Sequence, residues 1–131
     1  MPFKTVSALT GVVCLILAGV WLILPQWILT HWQVGYDYGD GLVSRRMACL
    51  FVAFGVILLS IRKVDVREAQ RAVSNGVIVA CLSLIALGLY EWLSGHVGDG
   101  IWFAMALEAV ICLGFLTVRA PARATRPVSV R

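Results

Sequence analysis

Residues 101–118 read IWFAMALEAVICLGFLTV, and Glu108 is the only charge among them. A helix that is apolar on every side belongs either to the core of a large protein or to a membrane. With 60% of the 131 residues hydrophobic and only 14% charged, the membrane is the natural setting. Crossing about 30 Å of hydrocarbon takes roughly 20 mostly apolar helical residues.

Three further stretches have this character. Residues 6–24 read VSALTGVVCLILAGVWLIL, with PQWIL carrying the apolar run on to Leu29. Residues 42–61 read LVSRRMACLFVAFGVILLSI, and 73–93 read VSNGVIVACLSLIALGLYEWL. None alternates apolar and polar residues over its length, so a transmembrane barrel is not expected. Mean hydropathy agrees, at +0.90. A typical soluble domain is about half apolar and a quarter charged. These figures exclude a disordered chain, a nucleic-acid module and an ordinary soluble domain, and the length allows one domain. A cleaved leader is not expected at the first stretch. Only Lys4 precedes it, the apolar run is long, and Pro25, Gln26 and Trp27 stand where small residues would mark cleavage.

The links are short: THWQVGYDYGDG at 30–41, RKVDVREAQRA at 62–72 and SGHVGDG at 94–100. Short links favour sequential antiparallel neighbours. The expected fold is an all-α membrane protein, a four-helix bundle running up-down-up-down over residues 1–118. The basic, proline-containing segment 119–131 is expected to form a flexible tail unless a partner holds it. Gly39-Asp40-Gly41 and Gly98-Asp99-Gly100, with Gly55 and Gly114 at the same offset, suggest either an old duplication of one hairpin or glycine turns recurring by composition. In both places Asp is placed to cap the helix that follows.

Orientation follows from Lys and Arg. Lys4, Arg62, Lys63, Arg67, Arg71, Arg119, Arg123, Arg126 and Arg131 fall on one side, and only Arg45 and Arg46 on the other. Both termini are therefore expected in the cytoplasm. Trp27, Trp32, Tyr36, Tyr38, Tyr90, Trp92 and Trp102 gather near the outer ends, where ring faces meet lipid and polar edges meet water. The net charge of +4 is this inside signal, with anionic lipid as its partner rather than nucleic acid.

An ionisable group at membrane depth is expensive, and so is a candidate for function. Arg46, Glu91 and Glu108 qualify. Glu108 stands seven residues into its span, about 10 Å from the outer end, and Arg46 comes to a similar depth. The sequence therefore suggests an ion pair between Arg46 and Glu108, with Glu91 or Arg45 as a third member. Helical spacing puts Arg46, Cys49, Ala53 and Ile57 on one face, and Ala104, Glu108 and Cys112 on another. Gly76, Ala80, Ser83, Leu87 and Glu91 share a third, and Ser7, Gly11, Cys14 and Ala18 a fourth. All four faces carry small residues that let helices approach closely in lipid. Cys14, Cys49, Cys81 and Cys112 fall one per span without metal-ligand spacing and are expected to pack as small apolar residues. No metal or cofactor site is expected, and no phosphate loop, dinucleotide fingerprint or nucleophile triad occurs.

Arg46 followed by MACLFVAFGVILL, with a mid-span glutamate in FAMALEAVICLG, resembles small bacterial four-helix membrane proteins of unknown function. The resemblance covers most of residues 6–118. It implies a structural Arg–Glu feature between the second and fourth spans and no activity. The expected role is that of a non-catalytic protein of the bacterial cytoplasmic membrane, an accessory or assembly subunit with a protein partner or further copies of itself. The alternative is a small oligomeric transporter or channel built on Glu108 and Arg46. A third reading is an enzyme acting on lipid or quinone at the outer face through His31, His96 or Asp99.

Overall fold

Pro25 divides what the sequence presents as one apolar run. Proline lacks an amide hydrogen and disfavours helical backbone in the residue before it. Leu24 accordingly leaves the helix at φ −127°, and Pro25 becomes the first residue of a new one. The computed structural model describes residues 2–119, and the expected tail from residue 120 lies outside them. The described residues form five helices: α1 (Phe3–Ile23), α2 (Pro25–His31), α3 (Tyr38–Ile61), α4 (Arg67–Leu93) and α5 (Ile101–Arg119). Four of them, α1, α3, α4 and α5, are long and apolar enough to cross a membrane. The short α2 is the element that hydropathy does not foretell.

Three helices start earlier than hydropathy suggests, α1 by one turn at Phe3 and α3 and α4 by more. At α3, Asp37 Oδ1 accepts from the Asp40 amide at 2.9 Å and Asp40 Oδ2 from the Asp37 amide at 3.0 Å. This reciprocal cap starts the helix at Tyr38 rather than Leu42. It also separates the two Gly-Asp-Gly segments in role. Asp40 lies inside the first turn of α3, whereas Asp99 sits in the loop before α5 and accepts from Trp92 Nε1 at 2.9 Å. α4 begins at Arg67 with Glu68 in its first turn, where a negative charge suits the positive end of the helix dipole.

α1 packs along α3, and α5 along α4. The small face of α1 is the buried one: Ser7, Gly11, Cys14 and Ala18 all turn inward. Ser7 Oγ donates to the Leu58 carbonyl at 2.7 Å. Gly11 and Gly55 meet at the crossing, where a Cβ on Gly55 would stand 3.1 Å from the Gly11 carbonyl and 2.8 Å from the Leu15 side chain. At the α4/α5 crossing, a Cβ on Gly88 would lie 3.1 Å from Met105. Close backbone approach through glycine is a common solution for helices in lipid, where hydrophobic burial drives nothing.

The pairs join at both ends. At one end Phe3, Val6, Leu58, Val77 and Phe115 share a single apolar cluster, with Phe3 edge-on to Phe115 at 6.3 Å. There Lys4 also reaches Asp65 at 2.9 Å, with both side chains exposed. At the other end the Gly98 amide donates to the Trp32 carbonyl at 2.6 Å. All five tryptophans of the sequence gather there. Trp21 meets Trp32 at 5.4 Å and Trp92 meets Trp102 at 5.2 Å. Large apolar side chains such as Ile16, Val43, Val79 and Phe103 point outward, as lipid-facing surface does.

Candidate functional site

The candidate site lies between α4 and α5, toward the tryptophan end. A glycine at position 88 lies against Met105, and beside it the two helices leave a half-open hollow of about 200 Å³. Its wall is mostly apolar, including Leu87, Gly88 and Met105, and Trp32 comes over from the α2–α3 link. Two acids break that wall: Glu91 from α4 and Glu108 from α5. Glu91 Oε2 bonds His96 Nδ1 at 2.7 Å. Glu108 has no such partner, and its Oε2 is buried without a hydrogen bond.

The helix ending beneath this site explains how Glu91 and His96 meet. Gly95 takes φ +73°, its amide bonds the Trp92 carbonyl, and the His96 amide bonds the Glu91 carbonyl. This is a Schellman close, and it folds His96 back over the last turn of α4. α2 ends the same way with Gln33 at φ 59°, the Gln33 amide on Thr30 and the Val34 amide on Leu29.

The structure does not bring Arg46 and Glu108 together. Among the described residues, Lys4–Asp65 is the contact of a lysine or arginine with an acid within 4.0 Å, and Glu91 is hydrogen-bonded to His96. The reason lies in the face that α3 turns inward. Gly41, Ser44, Ala48, Gly55 and Leu58 are the buried stripe, spaced by threes, fours and sevens. Arg46 is two residues from both Ser44 and Ala48, about 200° round the helix. It is therefore exposed, and so are Cys49, Ala53 and Ile57 beneath it. The face of α4 differs too. Ser74, Val77, Ile78, Cys81 and Gly88 are buried, while Gly76, Ser83 and Leu87 are exposed. α5, like α1, keeps the expected sense, with Met105, Cys112 and Phe115 buried and Ala104 and Glu108 half-buried alongside.

Arg45 lines a separate hollow at the α1–α2 corner with Pro25, Trp27 and Tyr36. His31 stacks its ring on Trp27 at 5.8 Å, and its carbonyl lies against Gly100. His31 at the end of α2 and His96 and Asp99 in the α4–α5 link are thus held by their neighbours, and none of them lines either of these two cavities. Cys14, Cys81 and Cys112 are buried as free thiols, and Cys49 is exposed. Among the described residues, no group of three or more His, Cys, Asp or Glu side chains is placed to hold a metal. Sequence reasoning finds Glu108 and Glu91 but misses Trp32, Gly88 and Met105, which shape the cavity around them.

Comparison with family models, with characterised proteins and with solved structures finds no match for this chain.

Proposed function

We propose that this chain is a non-catalytic integral membrane protein of the bacterial cytoplasmic membrane, an accessory or assembly subunit that is completed by another membrane helix. Its four spans run up-down-up-down with both termini inside. The basic residues at 4, 62–71 and 119–131 support that orientation. So does the grouping of Lys4 with Asp65 at one end and of Gly98 with Trp32 at the other.

The observation that carries the reading is Glu108. Its Oε2 is buried and unmet in one copy of the chain. Around it the surroundings are apolar, and a polar group left unpaired there costs several kcal/mol, on the order of 2–7. A donor from outside the chain relieves that cost. Arg46 makes the same point from the other side, because a guanidinium at membrane depth on an exposed helix face also meets no acid among the described residues.

The cavity itself favours a second reading, in which Glu108 and Glu91 receive a small cation in a carrier or channel. About 200 Å³ is small beside the roughly 300–1,000 Å³ of small-molecule sites, and it suits an incoming side chain better. A photoreactive amino acid at Ala104, inside the groove, separates the two. Irradiated in native membranes, the subunit reading gives an adduct heavier than one chain by the mass of a protein. The carrier reading gives no adduct, and an Ala104→Cys thiol is then open to a small water-borne reagent.

A further inference from the structure

We infer that Glu108 is answered by Arg46 of a second copy of the chain, so that the α3 face of one molecule closes the α4/α5 groove of the next. This rests on the subunit reading and names the partner. The tryptophan-bearing half of the molecule holds five acids and two arginines. Of its acids, Asp37 and Asp40 cap α3, Glu91 holds His96 and Asp99 accepts from Trp92. Glu108 is left over. Its arginines, Arg45 and Arg46, are both exposed and neither meets an acid among the described residues; Arg45 borders the α1–α2 hollow of its own chain, and Arg46 points away from it.

Arg46 lies four residues beyond Leu42, where the apolar run of α3 begins, and Glu108 lies seven beyond Ile101. At 1.5 Å per residue they sit about 6 and 10 Å below the same end, a difference that an arginine side chain spans. Two copies standing side by side in one bilayer therefore bring the charges within reach of each other. Below Arg46 the exposed face continues through Cys49 and Ala53, both small, so a helix can come close to the groove. Glu91 lines the same groove, and the guanidinium enters between acids on two helices. Each copy supplies one arginine and one glutamate, so the charges balance in a two-fold dimer and in a closed ring alike.

Charge reversal in the purified full chain, reconstituted in nanodiscs or held in mild detergent, tests this. R46E and E108R carry different tags. The wild type is expected to self-associate, and each single variant to do so about tenfold more weakly or worse. Mixing the two variants is expected to restore association as mixed complexes only, and the double variant R46E/E108R to associate with itself. A wild type that stays monomeric, single variants that associate like the wild type, or a mixture that gains nothing would overturn the proposal. Should a reversal variant fail to fold, copies bearing Val43→Cys, one turn above Arg46, are mixed with copies bearing Ala104→Cys, one turn above Glu108. A short thiol cross-linker joins them if the proposal is right and leaves them separate if it is wrong. If association fails but the photoreactive groove still captures a different protein in native membranes, the second-copy partner falls and the subunit reading stands. If the groove captures nothing, both fall.

Discussion

A single carboxyl oxygen, Glu108 Oε2, sets the energetics of the site. Had Arg46 paired with it inside one molecule, replacing Glu108 alone would strand a buried charge and destabilise the fold strongly. The structure has the arginine elsewhere, which reverses the sign. Glu108→Leu removes an unmet polar group from an apolar wall and is expected to raise the unfolding free energy of the monomer by about 1–3 kcal/mol. Unfolding by titrated anionic detergent at high dilution measures this, and a loss of similar size would contradict the geometry. The same substitution is expected to weaken self-association, so that stability and assembly move in opposite directions. Gly95 is the other residue whose role is settled locally. It sits at φ +73°, and a Cβ added there would meet nothing within 4 Å, so the cost of substitution is backbone strain alone. Gly95→Ala is expected to lose about 1 kcal/mol in the same assay and to free His96 from Glu91.

Helix pairs are the scale at which lipid changes the rules. Gly55→Ala forces a methyl to within 2.8 Å of Leu15 and 3.1 Å of the Gly11 carbonyl, so α1 and α3 must separate. A loss of about 1–3 kcal/mol is expected. Gly76→Ala is the control: it meets nothing within 4 Å, and a better helix former there should be neutral or stabilising by up to about 1 kcal/mol. Equal losses at the two positions would contradict the crossing. These elements also mark how far sequence alone reaches. The four long helices are legible because length and hydropathy are one-dimensional quantities. The small face of α1 is legible because Ser7, Gly11, Cys14 and Ala18 stand out against bulky neighbours. The inward face of α3 is not. In lipid both faces are apolar, so periodicity is nearly flat, and Arg46 draws attention to the wrong side while Gly41, Ser44, Ala48 and Gly55 carry the packing. Pro25 signals the α1–α2 break, but a seven-residue helix leaves no hydropathy trace of its own.

At the scale of the whole molecule, the proposed assembly needs one arrangement relative to the bilayer. Under it α3 and α5 both enter from the tryptophan-bearing end, which puts Arg46 and Glu108 within a few ångströms of one depth. The basic 62–72 link then lies on the opposite side, with the start of α1. If that orientation fails, the common level of the two charges loses its meaning, and with it the second copy. Labelling of single engineered thiols in intact cells by a membrane-impermeant reagent tests it directly. Ser94→Cys should react at once, and Ala69→Cys should react only after the membrane is permeabilised. Prompt labelling at position 69 in intact cells would contradict the account.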